Sequence, residues 1–308
     1  MPEESGTQQM QSPTCSSENL SMSIAVDFGG TKISVARIAE NQVVERRQEA
    51  TDQDAPPETH LQTIVSLIEA LKAGQGANLG VAVCGRVDRR GYWHALNNNT
   101  LRGFQSFPLR DKLQSHFGCP VNVMNDATAA AWGEYRVCAG TEKVDSLLYI
   151  TVSTGVGGGL VLNGRPMQSA DGLATHLGFM SSPYGSELCG SGRIGTIESV
   201  ASGTAIGRAA SPAAGQQLTG YDVYKAHLSG DAGATAAVDR SARAIAKAIA
   251  DVRALLGIQL VTIGGSVGLA KGYIERVQRY IDEEPELFRP RVIPAQLGAD
   301  SALFGVIR

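Results

Sequence analysis

Two short glycine-rich turns, one in each half of the chain, constrain the fold more than any other feature. Residues 23–28 (SIAVDF) are apolar and β-prone and run into Gly29-Gly30-Thr31-Lys32, after which residues 33–39 (ISVARIA) return as a second strand. In the other half, residues 146–152 (SLLYITV) run into Ser153-Thr154-Gly155-Val156-Gly157-Gly158-Gly159, and Leu160 to Leu162 returns. Glycine has no Cβ, so a strand that ends on it can reverse sharply and let its backbone approach other groups closely. The same unit met twice predicts an internally duplicated α/β chain with a site between its halves.

Around these units the pattern alternates between strand and helix. Residues 43–47 extend the first hairpin into a meander, with Asn41-Gln42 as its turn. Pro56-Pro57-Glu58 opens a helix that carries Leu61, Ile64, Val65, Ile68 and Leu71 at helical spacing. A strand at 79–83 ends on Cys84-Gly85, a helix from Phe107 to Phe117 breaks at Gly118, and a strand covers Val121 to Met124. Asn125-Asp126 caps an alanine-rich helix from Ala127 to about Cys138. Further on come an amphipathic helix from Ala237 to Leu256 and a strand at 259–263 that enters Gly264-Gly265-Ser266. A helix from Gly272 to Ile281 and a short strand at 291–293 follow, whereas 164–204 is rich in Gly and Ser with little periodicity.

A length of 308 residues suits two domains. The expected division is a flexible tail at 1–21, an N-terminal lobe at 22–124 to which 295–308 returns, and a C-terminal lobe at 125–294. With 27 Lys+Arg against 30 Asp+Glu the net charge is −3, which argues against a nucleic-acid partner. Cys15, Cys84, Cys119, Cys138 and Cys189 are scattered without a C-x-x-C pair, so a cytoplasmic location without disulfides is expected. No apolar run reaches the roughly 18 residues of a membrane helix, and the polar first residues lack the core of a secretory signal. No membrane partner is expected.

Backbone N–H groups that converge at glycine turns cradle anions, and the hydroxyls of Thr31, Ser153 and Thr154 add donors. Asp27 would repel a phosphate directly; it suits a Mg²⁺ ion, held directly or through water, that bridges to the phosphates. One glycine hairpin alone reads as a turn. Two, each at the end of an apolar strand and in different halves, favour nucleotide binding. Asp27-Phe28-Gly29 spells D-F-G, yet the H-R-D and V-A-I-K segments of protein kinases are absent. Neither turn is a P-loop, and no G-x-G-x-x-G follows the first strand.

Four motifs in this order, D-F-G-G-T-K at 27–32, N-D-A at 125–127, S-T-G-V-G-G-G at 153–159 and G-G-S-V at 264–267, resemble those of the ROK family of sugar kinases. The likeness covers residues 22–308. It implies a two-lobed α/β fold of the actin-like ATPase (ribonuclease H-like) kind, with the active site in the interlobe cleft. It also implies ATP with Mg²⁺, a small sugar substrate and a homodimer. Asp27, Gly29, Gly30, Thr31 and Lys32 would then be the first phosphate motif. Ser153, Thr154, Gly155, Gly157 and Gly158 would be the second, and Gly264, Gly265 and Ser266 the adenosine motif. Asp126 is the implied catalytic base, accepting the proton of a sugar 6-hydroxyl as that oxygen attacks the γ-phosphate. Gly85, Arg86, Asn97, Asn125, His176 and Glu198 are the implied sugar-binding residues. On residue type alone, Asn97 to Asn99 read equally well as a polar turn, Glu198 as a solvated charge at a helix start, and Asp126 as a helix cap.

Within the family, N-D-A-T-A-A-A-W-G-E-Y, Y-I-T-V-S-T-G-V-G-G-G and I-G-G-S-V-G-L-A-K-G-Y are most similar to the members that act on N-acetylmannosamine, in sialic-acid breakdown. His176 points the same way, because glucose-directed members carry Glu there. Another hexose (glucose or N-acetylglucosamine) stays open, as does, less favoured, a sugar-binding regulator without kinase activity. Repressors of the family carry an N-terminal helix-turn-helix, and the tail here has no apolar periodicity from which to build one.

The resemblance breaks at one place. The family pattern for structural zinc is H-x(9)-C-x-C-x(4)-C, and here Phe179 stands for the His, Cys189 is kept, and Ser191 and Thr196 replace the other cysteines. Structural zinc needs four strong N or S donors, so no zinc site is expected, and metal analysis of the purified protein tests this.

Overall fold

The computed structural model describes residues 22–71, 78–98, 100–102, 104–211 and 217–307. The expected tail and Asn99 lie outside them. The elements run β1 (Ser23–Phe28), β2 (Lys32–Ala39), β3 (Gln42–Ala50), α1 (Pro57–Ala70), β4 (Asn78–Val83), β5 (Arg86–Val87), β6 (Trp93–His94), α2 (Leu109–Phe117), β7 (Val121–Asn125) and α3 (Asp126–Glu142). Next come β8 (Leu147–Val152), β9 (Val156–Leu162), β10 (Arg165–Pro166), α4 (Ile197–Ala201), α5 (Gly203–Ala210), α6 (Gly220–Leu228) and α7 (Ala232–Leu256). The chain closes with β11 (Leu260–Gly264), α8 (Tyr273–Ile281), β12 (Arg291–Pro294) and α9 (Ser301–Val306).

The duplication is explicit in the sheets. One has the order β3-β2-β1-β4-β7 and the other β10-β9-β8-β11-β12. In each, a hairpin leads, its outer partner is antiparallel, and two further strands join parallel to the first. Strand alternation then sorts side chains between layers. In β1, Ile24, Val26 and Phe28 pack with Ile64, Ile68 and Leu113 of α1 and α2 on one face. Ala25 turns to the other face, with Ala36, Ala82 and the α3 and α9 residues Ala129, Ala130 and Leu303. In the second sheet, Ile150, Val152 and Leu160 pack on Ile245, Ile249 and Val252 of α7. The result is five layers, with α3 and α9 in the middle between the two sheets.

Those middle helices occupy the same place in the two halves, α3 after β7 and α9 after β12. They cross backbone against backbone. A Cβ on Gly133 would run into the Ser301 carbonyl, and one on Gly305 into the Ala129 carbonyl. Beside the crossing, the fully buried Glu134 accepts from Gln296 N (2.7 Å), Leu297 N (2.9 Å) and Ser301 Oγ (2.7 Å), tying α3 to the segment that leads into α9. The C-terminal segment also lies on the first sheet, where Asn122 Nδ2 donates to Val306 O at 2.7 Å.

Several local expectations are corrected. The β2–β3 turn is Glu40-Asn41, both at positive φ (50° and 58°), and Gln42 pairs with Ala39 as the first residue of β3. A two-residue turn of this kind needs the left-handed region at both central positions, which Asn adopts readily. The second glycine turn is confined to Ser153, Thr154 and Gly155; Gly157, Gly158 and Gly159 lie within β9. They are there for space: a Cβ on Gly159 would meet the Ala127 carbonyl of α3, and one on Gly158 would meet Leu177 and the Thr175 carbonyl. α2 starts at Leu109, because Phe107 bridges to Trp93 and Pro108 precedes the first turn. α7 starts at Ala232, capped by Asp231, whose side chain accepts from Ala234 N. The nearly featureless 164–204 and its sequel contain α4 and α5, capped by Thr196 and Ser202.

Candidate active site

A cleft of about 320 Å³ opens between the two sheets at the ends of β1, β4, β7 and β8. The carboxyl ends of parallel strands are where open α/β sheets collect ligands. Its lining comes from both halves: Asp27, Gly29, Gly30 and Thr31 from the first hairpin, Cys84 and Gly85 after β4, Asn125 and Asp126 at the β7–α3 junction, and Ser153 to Gly158 from the second hairpin.

Asp126 is the first residue of α3, and Asn125 caps the helix with its Oδ1 accepting from Thr128 N at 2.9 Å. Asp126 Oδ1 accepts from Ala127 N and Asn125 Nδ2, both at 2.8 Å. Burial, and next the charge of Asp27, push its pKa up to about 7, against the pull of these hydrogen bonds. Asp27 is itself raised to about 6 by burial, opposed by Lys32. Two half-buried carboxylates thus face one cleft with affinities for a proton close to neutrality, as a general base requires. Asp27 has no hydrogen bond or ion pair among the described residues, so its oxygens are open to the cleft.

The first hairpin turn, Gly29 to Thr31, and the second, Ser153 to Gly155, both line the cleft. Lys32 does not; it is the exposed first residue of β2. Gly264, Gly265 and Ser266 also stay outside the lining, but abut the second turn. Ser266 Oγ lies 3.5 Å from Ser153 Oγ, and a Cβ on Gly265 would overlap the Val152 carbonyl.

Glu198, which also lines the cleft, is buried at the start of α4, accepting from Asn97 Nδ2 at 2.8 Å and Val156 N at 3.2 Å. Burial raises its pKa. This is no solvated surface charge. His176 Nδ1 lies 2.9 Å from Leu173 O and 3.3 Å from Ala174 O, and since both are acceptors Nδ1 carries the hydrogen. Nε2 is buried and meets no hydrogen-bond partner among the described residues, on a side chain that lines the cleft. Burial lowers the His176 pKa, so the ring is neutral at neutral pH. Thr175, just before it, holds φ at +71°, a strained setting for a β-branched residue and one that concentrates at functional sites.

Two implied sugar contacts are engaged elsewhere. The Asn125 amide is divided between Thr128, Asp126 and Gly85 O (2.8 Å), so it positions its neighbours rather than offering free groups. Arg86 is outside the lining, donating to Asp171 O at 2.5 Å and lying 3.3 Å from His94 Nδ1. Asn97, Gly85 and Asn125 itself do line the cleft.

The residues that match the family's zinc positions make contacts within the loop. Phe179 stacks on His176, with ring centroids 5.8 Å apart at 6°. Cys189 Sγ and Ser191 Oγ lie 2.9 Å apart, and Thr196 caps α4 through Ser199 N at 3.2 Å. No cluster of three or more His, Cys, Asp or Glu fit to hold a metal occurs among the described residues.

Sequence reasoning missed Gln53, Thr100 and Arg208, which line the cleft. Gln53 follows β3 in a polar stretch with no motif of its own. Thr100 fills the space a side chain at Gly30 would need, a relation invisible without the fold.

A model of the ROK family matches residues 23–308. The N-acetylmannosamine kinase of Salmonella typhi is 38% identical over 287 residues, covering 92% of this chain and 96% of its own. Its counterpart from Haemophilus influenzae is 37% identical over 282 residues, covering 92% and 93%. A ROK family glucokinase from Streptomyces griseus, solved in complex with glucose and AMPPNP, superposes with a TM-score of 0.77 at 27% identity, over 93% of this chain and 98% of that one.

Proposed function

The chain belongs to the ROK family, and from that premise we propose that it transfers the γ-phosphoryl group of ATP to the 6-hydroxyl of N-acetylmannosamine, giving N-acetylmannosamine 6-phosphate and ADP. Its duplicated two-lobed fold is that of the actin-like ATPases, and it is a sugar kinase. The carrying observation is the place of Asp126, a carboxylate of near-neutral pKa at the floor of a cleft flanked by two glycine turns.

In the proposed step the sugar O6 forms a bond to the γ-phosphorus as the bond to the β,γ-bridging oxygen breaks. Asp126 accepts the hydroxyl proton, and ADP leaves with the electron pair. Phosphoryl transfer asks the protein chiefly for alignment and charge stabilisation. The turn N–H groups and the hydroxyls of Thr31, Ser153 and Thr154 serve the phosphates. Asp27, unpaired and open to the cleft, fits a Mg²⁺ ion, held directly or through water. That ion would supply charge neutralisation on the phosphate oxygens. The position of Gly264 to Ser266 against the second turn suits the nucleoside end.

Sugar recognition falls to Glu198, Asn97 and His176. The Glu198 carboxylate can accept two hydroxyls at once. His176 Nε2 is a neutral acceptor, suited to an amide N–H or a hydroxyl, and its ring offers more area to an acetamido group than a carboxylate would. We further propose a homodimer acting in the cytoplasm on an intermediate of sialic-acid breakdown, without structural zinc. Among the described residues no helix is long and apolar enough to cross a membrane.

The test is a panel of sugars with ATP and Mg²⁺, read by ADP release. N-acetylmannosamine should give the highest kcat/KM. A higher value with glucose or N-acetylglucosamine would transfer the assignment to another hexose, and the absence of turnover with every sugar would leave a sugar-binding regulator.

A further inference from the structure

The first glycine turn does not face the cleft on its own account. Thr51 Oγ1 donates to Gly29 O at 2.8 Å, Gln53 Nε2 donates to Gly30 O at 2.9 Å, and Thr51 N donates to Thr31 O at 3.1 Å. Three successive carbonyls of the turn are therefore gripped from one side by the short segment that follows β3. In a trans peptide the C=O and the next residue's N–H point in opposite directions. Pulling the Gly29 and Gly30 carbonyls towards Thr51 and Gln53 turns the N–H groups of Gly30 and Thr31 the other way. Neither of these N–H groups meets an acceptor among the described residues. Both belong to residues that line the cleft.

We propose that Thr51 and Gln53 are positioning residues for the nucleotide: by holding the carbonyls of the first turn they preset its N–H groups to receive the ATP phosphates. A glycine turn unaided can flip its peptides at little cost, since glycine populates both signs of φ. A flipped peptide would present a carbonyl oxygen to a polyphosphate. The grip removes that alternative before the nucleotide arrives, the economy of a preorganised site. The strap is itself anchored. Gln53 O accepts from Arg102 N at 2.9 Å, and the Arg102 guanidinium holds Asp54 at 2.9 Å. Among the described residues the Thr51 and Gln53 side chains bond the first turn and not Glu198, His176 or Asn97, so their loss should fall on nucleotide more than on sugar.

This proposal rests on the cleft being a nucleotide and sugar site, so binding is measured separately from turnover. The full chain and its variants Thr51→Val, Thr51→Ser, Gln53→Leu and Gln53→Glu are titrated with AMPPNP and Mg²⁺, and separately with N-acetylmannosamine. Thr51→Val and Gln53→Leu should each weaken AMPPNP binding about tenfold, the scale of one lost orienting hydrogen bond. Sugar affinity should stay within about twofold, a change too small to count as a lost contact. Thr51→Ser keeps the hydroxyl and should retain parental affinity. Gln53→Glu has no donor for Gly30 O and should bind nucleotide worst. In turnover, KM for ATP should rise while KM for sugar holds. Parental AMPPNP affinity in Thr51→Val and Gln53→Leu would overturn the proposal. So would equal losses for both ligands, or a Thr51→Ser variant as weak as Thr51→Val. A parent that binds AMPPNP yet phosphorylates no sugar would refute the kinase assignment alone.

Discussion

Asp126 is held under opposing influences. Burial and the Asp27 charge raise its pKa to about 7, while Ala127 N and the Asn125 amide hold part of its charge in place. The folded state thus binds this proton more tightly than the unfolded chain does. Stability from the group is complete below its ordinary value of 3.8 and is lost as the pH rises through about 7. Asp126→Asn should leave the fold intact and nearly abolish turnover. It should also raise Tm relative to the parent at pH values above 7, with the gain vanishing below the ordinary carboxylate value. Calorimetry at several pH values checks this, and full activity in the variant would remove Asp126 from the base role. For the parent, turnover needs ionised carboxylate, so the rate should fall as pH drops below about 7, with an apparent pKa that belongs to the Asp27–Asp126 pair.

At the level of elements, the crossing of α3 and α9 carries the sharpest expectation. A Cβ on Gly305 would overlap the Ala129 backbone, and backbone cannot yield as a flexible side chain can. Gly305→Ala should cost about 3 kcal/mol by overpacking, read as a lower denaturant midpoint at unchanged slope. An unchanged midpoint would mean that the helices do not meet there. The same glycines show where sequence reading succeeds and fails. Apolar runs such as SIAVDF and LLYITV announce β1 and β8, and each ends on residues that line the cleft. A glycine needed for a turn and one needed for packing look alike in a sequence. Hence Gly157 to Gly159 read as loop although they lie in β9 under α3. α4 and α5 are five and eight residues long, too short for a periodic pattern to stand out. The grip of Thr51 and Gln53 was illegible because hydrogen bonds to carbonyls leave no motif.

Over the whole molecule, the halves touch across the cleft as well as beneath it. Asn97 of the first half reaches Glu198 of the second at 2.8 Å, and Asn98 N donates to Gly190 O at 3.0 Å. Two hydrogen bonds alone let the rims part, and sugar that spans the halves should hold them in this tied position, expelling water from around the reacting oxygen. Small-angle scattering should then show a smaller radius of gyration with N-acetylmannosamine than without it, and Asn97→Ala should blunt the change. An identical profile with and without saturating sugar would contradict closure. The order of the four motifs made the two-lobed arrangement readable in advance, whereas these ties pair residues about a hundred positions apart (Asn97 and Glu198) and needed the folded chain to be seen.

The close contact of Gly133 with Gly305 would make a pivot for such a motion. Asp126 stands seven residues before Gly133 on one rigid helix, about 10 Å from the fulcrum at a rise of 1.5 Å per residue. Swinging about that point, the jaws would travel farthest at their rims, where the sugar-side ties meet, and least near their root. The proton acceptor would then move less than the rims that deliver the alcohol to it.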